Sequence, residues 1–126
     1  MAVFFICAGV LGLLTLVLAT NISRLRRGRG ISLGNGGHKD VEAAIRAHGN
    51  LIEWAPLVLL LIYLLHGPSG DRIVAILAIV FTLGRLAHAG GMLGVVPSGR
   101  IAGSVVTTVV TAVASVMLAL AGLRAL

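Results

Sequence analysis

Charged residues are scarce in this sequence, and acidic residues are nearly absent. Asp and Glu together number 4 against 10 Lys and Arg, and only 11% of the 126 residues carry a charge. Hydrophobic residues make up 58% of the chain, and its mean hydropathy is +1.07. A soluble domain of this length has too little interior to hide so much apolar surface. The composition therefore excludes an ordinary soluble domain and predicts an integral membrane protein with a single bundle of helices.

Cysteine is equally scarce, since Cys7 is alone and lies in an apolar run. A single cysteine excludes an internal disulfide framework and any metal cluster built from cysteines of one chain. We interpret Cys7 as a small buried hydrophobe. The net charge of +6 is no sign of a nucleic-acid partner. The basic residues fall between the hydrophobic segments, where the positive-inside rule accounts for them.

Four apolar segments are each long enough to cross a bilayer. We predict one all-α transmembrane domain over residues 1–126, a four-helix bundle with helices at about 2–23, 40–66, 71–92 and 98–124. The first loop holds most of the basic residues, so loops one and three are expected in the cytoplasm, with both termini on the opposite side. A bacterial-type inner membrane is the expected location.

The second predicted helix carries three polar side chains on one face. Arg46, Asn50 and Glu53 are spaced i, i+4 and i+7, so at roughly 100° per residue they lie within about 60° of one another. Ionisable groups at membrane depth are costly and face a protein interior or a wet cavity. One interpretation is a structural pair that joins two helices. The other is a binding site for a small zwitterionic molecule, in which Arg binds a carboxylate, Asn an amide and Glu an ammonium group.

A second polar cluster lies on the third predicted helix, where Arg85 and His88 share one face at i and i+3. Counted from the outer ends of the two helices at about 1.5 Å per residue, Glu53 and Arg85 both lie about 20 Å deep. We therefore predict that they meet, as an ion pair or through a shared ligand. His88 is expected either to line the same site or to be structural.

Three further arginines stand at predicted helix ends. Arg100 opens the fourth helix, where a guanidinium and free backbone N–H groups together suit an anion such as a thiolate. The alternative for Arg100 is a marker of the membrane interface. Arg24 and Arg26 stand at the membrane edge of the first helix and either contact membrane lipid headgroups or turn toward the anion site.

One turn and one stripe of small residues complete the predictions. Residues 67–70 read as a tight turn between the second and third helices. Along the fourth helix small residues recur every four positions and predict a packing seam. These are Gly103, Thr107, Thr111, Ser115 and Ala119.

Two stretches resemble the MAPEG family of membrane-associated proteins in eicosanoid and glutathione metabolism. The stretch from Asp40 to Pro56, with its Arg-x3-Asn-x2-Glu pattern, is similar to the family signature. The stretch from Leu83 to His88, followed by Gly-rich sequence and Arg100, resembles the prostaglandin E synthase and microsomal glutathione transferase branch. The resemblance covers nearly the whole chain.

The resemblance implies a homotrimer that binds glutathione, as co-substrate, between neighbouring protomers. It implies a glutathione S-transferase or peroxidase whose lipophilic small-molecule substrate enters from the bilayer beside helices one and four. The arginine that stabilises the thiolate would be Arg100. The glutathione-binding residues would be Arg46, Asn50, Glu53, Arg85 and His88, with Arg24 or Arg26 contributing from helix one.

The chain departs from the family pattern at two places. Family members often carry tyrosines on the third helix, where this chain has His88 and Met92, and Ile101 follows Arg100 where a polar residue would help. The departures keep an alternative open, a non-catalytic trimeric membrane scaffold whose polar cluster is structural.

Overall fold

The chain folds into four long helices joined by short connections, and the computed structural model describes all of Met1–Leu126. The helices are α1 (Ala2–Gly28), α2 (Lys39–Leu64), α3 (His66–Met92) and α4 (Gly99–Arg124). Each has 26 or 27 residues and is apolar enough to cross a membrane. That length corresponds to about 40 Å, more than the roughly 30 Å of the bilayer core. The predicted fold class, an all-α bundle of four transmembrane helices, is confirmed.

α1 continues beyond the expected end near residue 23 and reaches Gly28. Its last turn contains Arg26 and Arg27, whose positive charges suit the negative end of the helix dipole. Arg29 follows directly and forms an ion pair with Asp40 at the start of α2. The basic residues of loop one therefore extend a helix and tie it to the next one.

The connection between α2 and α3 is helical, so the prediction of a tight turn at residues 67–70 is wrong. α2 ends at Leu64 and α3 begins at His66. Pro68 lies in the first turn of α3, where its missing N–H has no helical partner to lose. Only Gly70 leaves helical geometry, with φ 75° and ψ 169°, a conformation that glycine tolerates best. The connection is one helical turn followed by a kink.

α3 lies at the centre of the bundle and packs against all three other helices. The apolar core fills the space where α1, α2 and α3 meet, and it includes Leu11, Leu18, Leu51, Val58 and Phe81. α1 and α4 do not touch each other. The substrate entry that was expected beside helices one and four therefore does not lie between two helices of a single chain.

Glycines bring α3 and α4 into backbone contact. A Cβ atom on Gly103 would lie 2.7 Å from the backbone nitrogen of His88 and would also collide with the carbonyl oxygen of Gly84. A Cβ atom on Gly84 would lie 2.6 Å from Cγ1 of Val106. Small residues allow helices in a membrane to approach in this way. The contact presses the polar side of α3, with Arg85, against α4.

The seam on α4 follows the predicted small-residue stripe for only part of its length. Gly103 is buried, but Ser115 and Ala119 are exposed. Four residues advance a helix by about 400°, so a strict four-residue repeat drifts by about 40° at each step. After three steps the stripe has turned about 120° away from α3. The seam continues instead through Val110 and Ala114, which are buried.

Candidate functional site

A polar cavity of about 510 Å³ opens between α2, α3 and α4. Four of the predicted site residues line it, namely Arg46, Asn50, His88 and Arg100. No carboxylate is among its lining residues. A cavity of this size is typical of sites for small organic ligands. Its chemistry, two guanidinium groups with an amide and an imidazole, suits an anionic ligand.

Arg100 reaches the cavity from the first turn of α4, at the positive end of the helix. The first backbone N–H groups of a helix have no partner within it, so they and the guanidinium present positive charge together. No acidic residue in that turn offsets this charge. Gly99 fixes the position of the helix start, because any Cβ atom there would collide with the carbonyl oxygen of Ala87 on α3. The backbone at the start of α4 therefore lies in close contact with α3.

Arg85 lies behind the cavity wall and is only 1% exposed. Its Nη2 donates to Oδ1 of Asn50 at 2.8 Å, and its Nη1 donates to Oγ1 of Thr107 at 3.3 Å. Nη2 also lies 3.5 Å from Nδ1 of His88, and Nε has no hydrogen-bond partner. Polar side chains from three helices thus surround a buried guanidinium, and none of them is a carboxylate. The network also fixes Asn50 and His88, two side chains of the cavity.

The orientation of Asn50 follows from this network. Because its side-chain oxygen accepts the hydrogen bond from Arg85, its NH2 group is left to donate toward the cavity. A ligand carboxylate or carbonyl oxygen is the natural acceptor for that group. Arg85 therefore acts on the site through Asn50, and it does not line the cavity itself.

The prediction that Glu53 and Arg85 form an ion pair is wrong. Glu53 forms no ion pair within the chain and is exposed. Arg85 contacts Asn50 instead, about 4.5 Å from Glu53 along α2. The shift has a simple cause, because α3 already begins at His66 and its extra turn carries Arg85 deeper than a start near residue 72 would. A meeting of Glu53 and Arg85 through a shared ligand stays a prediction.

Arg24 and Arg26 do not reach the cavity within one chain. Nε of Arg26 donates to the carbonyl oxygen of Gly34 in loop one at 2.9 Å. Arg24 donates to Oδ1 of Asn21 at 3.0 Å and lines a separate groove beside α1. The structure therefore separates these arginines from Arg100, with which the sequence analysis grouped them.

Two polar residues of α4 were missed by the sequence analysis as site residues. Ser104 lines the cavity and donates to the carbonyl oxygen of Arg100 at 2.9 Å. Thr107, predicted only as part of the packing seam, accepts from Arg85. Arg100, Ser104 and Thr107 are spaced i, i+4 and i+7, the same pattern as the polar stripe of α2. That repeat was the signal that could have identified them.

The outward face of α2 carries charge that the chain does not neutralise. Arg46 and Glu53 are both exposed, and neither takes part in an ion pair. They share this face with Asn50, which borders the cavity. The cavity is thus bordered on one side by an exposed face that carries two unpaired charges.

Comparison with known proteins adds a family match over nearly the whole chain. Residues 4–120 match the sequence model of the MAPEG family. Two similar proteins are both named inner membrane protein YecN, one from Escherichia coli strain K12 and one from Escherichia coli O6:H1. Each is 32% identical over 77 residues, which is 60% of this chain. The alignment spans 59% of the length of each relative.

Proposed function

The chain belongs to the MAPEG family, and from this premise we propose that it is a glutathione-binding enzyme of the inner membrane. It would activate the glutathione thiol for conjugation to lipophilic electrophiles or for reduction of lipophilic hydroperoxides. The observation that supports this best is the convergence of Arg46, Asn50, His88 and Arg100, from three helices, on one cavity. The name of the two YecN relatives supports the membrane location.

The charges of the cavity are complementary to glutathione. This tripeptide has two carboxylates, one ammonium group and one thiol, so it is anionic at neutral pH. Arg46 would bind a carboxylate, and the NH2 group of Asn50 would donate to a carboxylate or amide oxygen. Glu53, on the same face of α2, would take the ammonium group. This assignment gives each of the three polar side chains on this face of α2 one group of the ligand to bind.

Arg100 is the residue to which we assign activation of the thiol. A free thiol with a pKa near 8.5 is only a few per cent ionised at pH 7, and each unit of lowering corresponds to about 1.4 kcal/mol. A guanidinium beside the free backbone N–H groups of a helix N-terminus would supply stabilisation of that order. His88 lies on the same wall and would orient the ligand.

The thiolate can react in two ways. In conjugation, sulfur forms a bond to an electrophilic carbon, and the leaving group departs with the bonding electron pair. With a hydroperoxide, sulfur takes the terminal oxygen, and the departing alkoxide gains a proton to become an alcohol. A second glutathione then reduces the sulfenic acid to a disulfide and water. Both routes begin with the thiolate that Arg100 would stabilise.

Replacing Arg46 tests ligand binding by this cavity. We expect Arg46→Ala to raise the Kd for glutathione at least about tenfold, because a hydrogen bond between charged groups contributes roughly 1.5–3 kcal/mol. Calorimetric titration of the detergent-solubilised protein measures this directly. Arg27→Ala is the matched control, since Arg27 is exposed on α1 and lines no part of the cavity. Equal affinity in wild type and Arg46→Ala would show that glutathione does not bind in this cavity.

We also propose that the protein is a homotrimer, because Arg46 and Glu53 leave charge on the outer face of α2. Charge at membrane depth rarely faces lipid, and a second copy would cover it. Native mass spectrometry should then give a mass near three times 12.9 kDa.

The Glu53→Gln variant distinguishes an enzyme from a scaffold. In an enzyme this variant should stay trimeric and bind glutathione weakly, whereas in a scaffold the trimer should dissociate. Glu42→Gln makes the same change about 17 Å from Glu53 along α2, beyond the Arg46 end of the stripe, and is the control. A monomeric wild type would refute the trimer.

A further inference from the structure

Ser104 carries the only hydroxyl group among the residues that line the candidate site. It lies on α4 one helical turn after Arg100, about 40° round the helix and about 6 Å further along it. The two side chains are therefore neighbours on one face of α4. The next hydroxyl of this polar stripe, that of Thr107, is buried and already accepts from Arg85. Ser104, which is exposed, is thus the one hydroxyl that a ligand in the cavity can reach.

The hydroxyl of Ser104 can change its partner without leaving a polar group unpaired. It donates to the backbone carbonyl oxygen of Arg100 at 2.9 Å. In an α-helix that carbonyl also accepts the backbone N–H four residues later, so it stays hydrogen-bonded when the hydroxyl turns away. A serine hydroxyl rotates freely about its Cβ–Oγ bond. Its proton is therefore available to an acceptor in the cavity.

The surroundings of Ser104 suit the sulfur end of the ligand better than a carboxylate end. Ile101 and Val105, spaced i and i+4 on α4, line the cavity on either side of Ser104 in the sequence. A sulfur that reacts with a lipophilic molecule needs apolar neighbours as well as a hydrogen-bond donor, and this part of α4 offers both. The polar residues of the α2 wall, Arg46 and Asn50, remain for the carboxylates.

We propose that Ser104 is a second catalytic residue, whose hydroxyl donates a hydrogen bond to the thiolate sulfur beside Arg100. The inference rests on the proposed function, since it concerns the same bound glutathione. On ionisation the S–H bond breaks and its proton passes to water. The electron pair left on sulfur then accepts from the Ser104 hydroxyl and from the guanidinium. A hydrogen bond to the charged form of a group favours that form, so Ser104 adds to the stabilisation by Arg100.

Titration of the ultraviolet thiolate band against pH tests this role in the full-length protein with bound reduced glutathione. In Ser104→Ala the midpoint should rise by about one pH unit, a tenfold change in the ionisation constant, as the loss of one hydrogen bond to a charged group predicts. Ser104→Thr keeps the hydroxyl and should titrate like the wild type. Thr108→Val is the matched control, because Thr108 donates to the carbonyl oxygen one turn back at 3.0 Å but lines no part of the cavity.

S-methylglutathione, which has no ionisable thiol, separates ionisation from binding. Its Kd should be the same for the wild type and Ser104→Ala. A higher Kd with an unchanged midpoint would make Ser104 a binding residue and overturn its role at the sulfur. An unchanged midpoint with an unchanged Kd would also overturn that role, and a lowered wild-type midpoint would leave the proposed function standing. A wild-type midpoint near 8.5, the value of a free thiol, would overturn both.

Discussion

Arg100→Ala is expected to lower glutathione-dependent turnover at neutral pH by about eight- to twenty-five-fold. A nearby opposite charge lowers the pKa of a thiol by about one to two units, and from a starting pKa near 8.5 this changes the thiolate fraction at pH 7 by about that factor. Turnover is measured with a lipophilic electrophile in detergent. Arg124→Ala, in the last turn of the same helix, is the matched control, because it changes the same charge far from the cavity.

The pH dependence separates thiol activation from a general loss of structure. If Arg100 lowers the thiol pKa, the deficit of the variant should be largest below pH 7. The deficit should shrink as the pH approaches about 8.5, where free glutathione ionises without help. A deficit that is constant across this range would show that Arg100 acts on folding or binding and not on ionisation.

Asn50→Leu is expected to destabilise the folded protein by about 2–3 kcal/mol. The substitution removes the 2.8 Å partner of the buried Arg85 guanidinium and leaves that charge without its nearest acceptor. The change is measured as a lower thermal unfolding midpoint in detergent. Loss of glutathione binding should accompany it, since Asn50 lines the cavity and its NH2 group is the proposed donor to the ligand.

A double substitution shows whether the buried charge causes that loss. Arg85→Met removes the guanidinium, so Asn50→Leu together with Arg85→Met should be more stable than Asn50→Leu alone. The same double variant should still fail to bind glutathione. If the two destabilisations simply add, the network around Arg85 is not the source of the cost.

Composition and length were sufficient to predict four membrane helices, because so much apolar surface has no other place in a chain this short. The positions of the helix ends were harder to predict. Arg26 and Arg27 read as loop residues on charge alone, but a helix leaving the membrane can continue through charged residues. The helical turn from His66 to Gly70 was hidden by its Gly and Pro content, which is typical of both turns and helix starts.

The site was predictable within a helix and less so between helices. Angular arithmetic put Arg46 and Asn50 on one face, and both line the cavity. The register between α2 and α3 depends on their connection, so Arg85 was matched to the wrong residue of α2. The contact of α3 with α4 depends on space at Gly84 and Gly103. The small-residue stripe indicated Gly103 as a packing position, but nothing in the sequence pattern identified α3 as its partner.

The most direct test of thiol activation is an ultraviolet difference spectrum of reduced glutathione with the purified protein at neutral pH, for wild type and Arg100→Ala. Activation predicts a thiolate band with the wild type that the variant loses. Absence of the band, together with no glutathione binding in an independent titration, would contradict the proposal that the protein is a glutathione-dependent enzyme. The arginines and Glu53 would then serve to hold copies of a membrane scaffold together.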